Sequence, residues 1–90
     1  MQANAFRAWV QQGLIERVVI SEAAKGWQAW AYGDALPDHV GNLIYEGRRR
    51  MTWATAAQAR RWLREAGWQG SIIEESMKPA KGSDGCLLVA

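Results

Sequence analysis

The sequence predicts a single small α+β domain over residues 1–76, with a twisted antiparallel sheet of four or five strands and two helices in the order α-β-β-β-β-α-β. Two stretches place apolar residues three or four apart, which is typical of helices, and several short runs rich in β-branched or aromatic residues are typical of strands. A substantial core is also predicted, because 49% of the 90 residues are apolar and six are tryptophan. Each tryptophan can bury on the order of 200 Å².

The first helix is predicted around Phe6, Trp9 and Val10, which share one helical face. Gly13 then stands where helices commonly end in a glycine. The chain changes to strand character from Leu14 to Ser21, because three β-branched residues follow one another there.

The second strand is predicted from Trp27 to Tyr32, and a turn at residues 23–26 joins it to the first strand as a hairpin. Strand alternation places Trp27 on one face and both Trp30 and Tyr32 on the other. Either both faces are covered or one is a partner surface. The simpler expectation is that the first helix buries Trp30 and Tyr32, since a small domain needs its large aromatic side chains in the core.

The next elements are a loop, two strands and a second helix. The loop runs from Gly33 to Gly41, the third strand from Asn42 to Glu46, and the short fourth strand from Arg50 to Trp53, after a turn at residues 47–49. A last strand is predicted from Ser71 to Glu75, followed by a flexible tail over residues 77–90, where Lys, Pro, Gly, Ser and Asp dominate.

The second helix has the clearest sequence signals. Thr55 and Gln58 form a capping box, in which each side chain bonds a free backbone N–H of the first turn. Gly67 marks the end of the helix, and Arg61 and Glu65 are placed to pair on its exposed side. The apolar stripe consists of Ala56, Ala59, Trp62, Leu63 and Ala66.

Composition excludes several classes of protein. Cys86 is the only cysteine and His39 the only histidine, so neither an internal disulfide nor a structural zinc site is expected. No apolar run approaches the roughly 20 residues that span a bilayer, and the first residues lack the pattern of a signal peptide. A cytoplasmic protein without a membrane partner is therefore expected.

No catalytic site is expected either. Asp34, Asp38 and His39 are the only grouping with the residue types of acid–base catalysis, but aspartates beside a proline are ordinary turn residues and no nucleophile accompanies them. The glycine motifs that bind phosphates or dinucleotides are absent from the sequence. These observations predict a protein that is not an enzyme, with no cofactor and no small-molecule substrate.

Charge is unevenly distributed along the chain. Residues 48–64 contain six basic and no acidic side chains, whereas the flanking segments are each net negative. The six are Arg48, Arg49, Arg50, Arg60, Arg61 and Arg64. Arginines on a turn and an adjacent helix suit phosphate contacts, so this stretch is the predicted site for an anionic partner such as DNA. The alternative is a solvated surface whose arginine stems cover apolar groups.

Three features between Gly26 and Glu75 occur together: a Gly26-Trp27 pair, the sequence RMTWAT at residues 50–55, and the sequence AAQARRWLREAGW at residues 56–68. With them the chain resembles the small partition-associated proteins of bacterial plasmids and integrative elements. In that family a basic strand ends in an aromatic residue, a serine or threonine caps a helix of the form A-A-x-x-[FW]-L-x-x-x-G, and a last strand follows. The resemblance implies an accessory role on a mobile element.

Two other families are similar in element order. Double-stranded RNA-binding domains open their second helix with a lysine cluster, and residues 56–58 (AAQ) lack it. The arm-binding domains of tyrosine recombinases and AP2 domains lay a sheet in the major groove, an arrangement that suits Arg48 to Arg50.

We therefore expect an accessory protein of a mobile element that binds DNA through its arginine-rich edge. The alternative is a protein-interaction module, most simply a homodimer joined through the face of Trp30 and Tyr32 or through a sheet edge, or a complex with another mobile-element protein. The arginine cluster favours DNA, and the number of aromatic residues favours a protein partner.

Overall fold

The structure is a computed structural model that describes residues 1–76, and its α+β class agrees with the prediction. The elements in chain order are α1 (Ala3–Gln11), β1 (Arg17–Ala23), β2 (Gly26–Tyr32), β3 (Asn42–Leu43), β4 (Tyr45–Glu46), β5 (Arg49–Arg50), α2 (Ala56–Glu65) and β6 (Ile72–Glu75). The predicted tail, residues 77–90, lies outside the described residues.

Four strands form one sheet in the order β3-β2-β1-β6, and β4 pairs with β5 in a separate two-stranded sheet. The β1–β2 and β2–β3 pairs are antiparallel, but β6 runs parallel to β1. The sheet is therefore mixed, whereas an antiparallel one was expected. The cause is the connection: β6 is reached through a helix, and a helical crossover can join strands in the parallel sense that a tight hairpin cannot.

The predicted strand over residues 42–46 is divided into β3 and β4, and the predicted strand over residues 50–53 is reduced to the two residues of β5. The reason is that the chain leaves the four-stranded sheet after β3. The amide of Ile44 donates to the carbonyl of Ala29 at 3.0 Å, which ties the chain to β2 between β3 and β4. After β5, Trp53 returns to β2 and exchanges two backbone hydrogen bonds with Trp27, at 2.8 and 3.0 Å. Residues 45–50 thus form a hairpin that projects from the β2 side of the sheet.

Both helices end as the sequence predicts. At the end of α1, the amide of Leu14 donates to the carbonyl of Trp9, and at the end of α2 the amide of Trp68 donates to that of Leu63, both at 3.0 Å. These are the long-range bonds of Schellman caps, in which the glycine between helix and follower turns the chain. At the start of α2, the Thr55 hydroxyl accepts from the amide of Gln58 at 3.2 Å.

One face of the four-stranded sheet packs against both helices. Val18, Ile20, Ala29 and Ala31 point to this face and are fully buried. They form the core together with Phe6 of α1 and Ala59 and Leu63 of α2. The small side chains of Ala29 and Ala31 leave room for helices to approach the sheet closely.

The opposite face of the sheet, called the open face below, has Val19, Trp30 and Ile73 in register across β1, β2 and β6. Trp30 and Tyr32 are half-buried there. The expectation that the first helix covers these two residues is wrong, because Phe6 anchors α1 in the core on the other face. No helix among residues 1–76 lies over the open face.

Candidate nucleic-acid interface

The hairpin of residues 45–50, called the basic ribbon below, carries three consecutive arginines. Its strands are joined by the two-residue turn Gly47-Arg48, since Glu46 pairs with Arg49. Gly47 has φ 67° and Arg48 has no positive φ, which is the pattern of a type II′ turn, where the first residue is nearly always glycine. Arg48, Arg49 and Arg50 are all exposed.

The chain's first two residues hold the basic ribbon in place. The side-chain amide of Gln2 bonds both backbone groups of Gly47: its Nε2 donates to the carbonyl at 2.8 Å, and its Oε1 accepts from the amide at 2.9 Å. The amide of Tyr45 donates to the carbonyl of Met1 at 2.8 Å. The Met1 amine donates to Leu43 at 2.7 Å, and partial burial lowers the pKa of this amine. The ribbon is therefore anchored along β4 and at its turn.

An open cleft of about 600 Å³, called the basic cleft below, separates the ribbon from the β1–β2 turn. Its lining contains three cationic side chains, two neutral polar ones and two alanines: Lys25, Arg49, Arg50, Gln28, Thr52, Ala23 and Ala24. Within residues 1–76, no acidic residue lines it. The paired backbones of Trp27 and Trp53 bring the two hairpins together, so basic residues from two segments, Lys25 of the β1–β2 turn and Arg49 and Arg50 of β5, border one space.

The helix arginines have partners within the domain. Arg60 forms an ion pair with Glu74 of β6, and Arg61 pairs with Glu65 at 3.4 Å, as predicted. Nη1 of Arg64 donates to the carbonyls of Trp68 and Gly70, at 3.0 and 2.7 Å.

The six arginines consequently do not form one edge. Arg60 reaches β6, one outer strand of the sheet, whereas the ribbon follows β3, the other outer strand. Three strand spacings of about 4.8 Å separate these strands. Of the six, only Arg48, Arg49 and Arg50 form neither an ion pair nor a side-chain hydrogen bond within residues 1–76.

Trp30 and Tyr32 differ in what covers their rings. The Arg17 guanidinium lies 4.4 Å from the centre of the Tyr32 ring, an attractive contact between a cation and an aromatic face. Gly41, with φ 130°, also backs onto Tyr32: a Cβ there would lie 2.9 Å from the Tyr32 hydroxyl. Tyr32 is thus engaged within the domain. Trp30 also contacts the Gly41 loop, but no cation among residues 1–76 lies over its ring.

The aspartates of the loop behave as turn residues. Oδ1 of Asp38 accepts from the amide of Val40 at 2.9 Å, a local turn bond. Asp34 and His39 line a small depression of about 220 Å³ beside Glu16 and Arg17, and Asp38 is not part of it. Among residues 1–76, no group of three His, Cys, Asp or Glu side chains is placed to hold a metal ion.

Sequence reasoning missed Lys25, Gln28 and Thr52 in the cleft, and Gln2 behind the ribbon. Nothing in their spacing indicates that they meet, because their proximity depends on the pairing of Trp27 with Trp53. The one available signal is the side of the strand: Gln28 shares a face with Trp30, which places it toward the ribbon.

Comparison with known proteins finds no matching family model, no matching curated protein and no matching solved structure. No helix within residues 1–76 is long and apolar enough to cross a membrane.

Proposed function

We propose that this domain binds DNA through the basic cleft, as a non-enzymatic accessory protein of a bacterial mobile element. One observation supports the binding role: Lys25, Arg49 and Arg50 line one cleft, and no acidic residue among residues 1–76 lines it with them. The mobile-element role rests on the sequence resemblance.

The cleft suits phosphates for electrostatic and geometric reasons. Long cationic side chains on an anchored hairpin can contact a phosphodiester backbone, and such contacts fix position without reading sequence. Gln28 and Thr52 add neutral hydrogen-bonding groups between the cations. If the three cations each neutralise one phosphate, the logarithm of the affinity should fall by about 2–3 units per tenfold rise in salt.

The test is a salt-series titration of labelled DNA, followed by fluorescence anisotropy, on the wild type and two charge-matched variants. Arg49→Ala removes one positive charge from the cleft, and Arg61→Ala removes one from the exposed side of α2. We expect Arg49→Ala to weaken binding and to reduce the salt slope by about 0.9, whereas Arg61→Ala should leave the slope unchanged.

Two results would contradict the proposal. One is the absence of binding to both duplex and single-stranded DNA at low salt, where phosphate contacts are strongest. The other is an equal loss of affinity in Arg49→Ala and Arg61→Ala, which would indicate a response to net charge alone.

A second candidate is a homodimer joined through the open face. Ile73 favours it, because this apolar side chain is 42% exposed there. Analytical ultracentrifugation across a concentration series tests it directly: a wild type that remains monomeric at high concentration removes the homodimer hypothesis.

A further inference from the structure

Trp30 lies across the open face as a flat platform. Its Nε1 donates to the Ser21 hydroxyl on β1 at 2.9 Å. The opposite end of the ring reaches the loop at Gly41, where a Cβ would lie 3.1 Å from Cε3. Val19, the register partner of Trp30 on this face, is only 5% exposed although no helix of residues 1–76 covers it, and we infer from this that the indole lies over it. One side of the indole therefore packs on the sheet, and the ring is held at both ends.

Arg50 connects this platform to the basic cleft. It lines the cleft beside Gln28, and it also lines a second depression of about 390 Å³ that includes Trp30, Tyr45 and Asp38, whose Oδ1 already accepts from the amide of Val40. A chain with phosphates in the cleft can therefore place its next base over the indole. A nucleic-acid strand matches this arrangement, because charged phosphates and planar bases follow one another along it.

Charge across the open face also favours one orientation of a bound strand. Arg49 and Arg50 lie on the ribbon, whereas Glu75 of β6 is in register with Ser21, whose hydroxyl accepts from the indole nitrogen of Trp30. Phosphates are attracted to the ribbon side and repelled from β6. Bases, which carry no charge, can lie toward β1 over Trp30.

From these observations we infer that the nucleic acid held by the cleft is single-stranded and that one of its bases stacks on Trp30. The inference rests on the proposed function and specifies its ligand. In a duplex each base is covered by its neighbours, so its ring faces are not accessible to a side chain on a flat sheet. A single strand exposes those faces, and aromatic side chains bind them with little regard to sequence.

The experiment compares three labelled ligands of equal length with the wild-type protein at one salt concentration: a mixed-sequence single strand, its duplex, and a single strand with abasic sites throughout. We expect the intact single strand to bind more tightly than the duplex. We expect the abasic strand to lose roughly 5- to 150-fold in affinity, the loss associated with one stacked base.

Variants locate the stacking. Trp30→Leu should weaken binding of the intact strand by a similar factor and leave the abasic strand unaffected, while Trp30→Phe retains most of the affinity. Trp9→Leu, the same change in a half-buried residue of α1, is the control and should bind as the wild type does. Circular dichroism verifies that each variant is folded. If Trp30→Leu does not fold, the comparison of intact and abasic strands on the wild-type protein still tests whether a base stacks.

The outcomes separate this inference from the proposed function. Equal or tighter binding of the duplex, or equal binding of the abasic strand, overturns the stacking of a base and leaves DNA binding intact. A wild-type dimer that Trp30→Leu dissociates would show that a second copy occupies the open face, which also overturns the inference. Absence of binding to every ligand at low salt overturns both.

Discussion

The arginines of the basic ribbon and those of α2 are ten residues apart in the sequence and alike in composition, yet they differ in what they contact. In α2, Arg60 and Arg64 bond to Glu74 and to backbone carbonyls of the chain that leads to β6. In the ribbon, Arg49 and Arg50 face an open cleft and belong to no ion pair among residues 1–76.

This difference shows that a cluster of arginines in the sequence can contain two groups. Before a binding role is assigned, the arginines that bond within the domain have to be separated from those that do not. A guanidinium group that bonds carbonyls of its own domain contributes to the stability of the domain. Its hydrogen-bond donors are then less available to a ligand. A guanidinium group on an anchored hairpin costs the domain little to expose and remains available to a ligand. Substitutions in the two groups of arginines, and in the anchor of the ribbon, should therefore differ in their effect on the free energy of unfolding.

Arg64→Ala should lower the free energy of unfolding by about 1–2 kcal/mol, because it removes two charge-assisted hydrogen bonds to Trp68 and Gly70. Urea denaturation measures this loss. Arg64→Lys keeps the charge and serves as the control: if it is as stable as the wild type, charge near the helix end matters more than the two bonds. DNA affinity should be unchanged in a folded Arg64→Ala, and a loss there would place Arg64 in the interface.

Gln2→Ala should lower the free energy of unfolding by about 1 kcal/mol, because both hydrogen bonds to Gly47 disappear. It should also weaken DNA binding without removing any charge, since the ribbon loses the contact that fixes its turn. Gln2→Glu is the matched variant: it still accepts from the Gly47 amide but cannot donate to the carbonyl, so its stability should be intermediate. Unaltered DNA binding in Gln2→Ala would mean that the anchor is not needed for the site.

The pair of Arg60 and Glu74 should contribute about 0.2–1 kcal/mol, as expected for partly exposed ion pairs. A double-mutant cycle with Arg60→Ala and Glu74→Ala measures this coupling energy. Because salt screens such pairs, the coupling should decrease between low and high salt. A coupling that does not respond to salt would show that the two side chains interact mainly through their apolar stems.

Arg48→Ala should change the free energy of unfolding by less than about 0.5 kcal/mol, since this side chain is exposed at the tip of a turn and has no partner within residues 1–76. We expect the substitution to affect DNA binding instead. If Arg48 contacts a phosphate, the salt slope of binding should fall by about 0.9. Destabilisation by 1 kcal/mol or more would show that the two groups of arginines are not divided as described.

The parts of the fold that sequence predicts well are those specified by local signals. Thr55 and Gln58 indicate the start of α2, Gly13 and Gly67 indicate both helix ends, and alternation separates Trp27 from Trp30. The direction of β6 was not predictable, because it depends on how α2 lies across the sheet. The split of the third strand at Ile44 likewise depends on pairing with Ala29, a tertiary contact that leaves no local pattern.

The candidate site was predictable only in part. Arg48 to Arg50 could be placed at an exposed turn, because Gly47 favours a turn and charged side chains favour solvent. Lys25 could not be brought beside them, because the β1–β2 turn meets the ribbon only through the backbone bonds of Trp27 and Trp53. The ion pair of Arg60 with Glu74 could not be predicted either, since it requires knowing that β6 lies within reach of α2.

The pairing of β6 with β1 has a consequence for how the chain folds. The β1–β2 hairpin is local, closed by two residues, and hairpins form within microseconds. Val18 and Ile72, by contrast, are roughly 50 residues apart along the chain, and pairing across such a separation is slow because the intervening loop must be closed first. During synthesis, β1 therefore has one edge unpaired until Glu75 has left the ribosome.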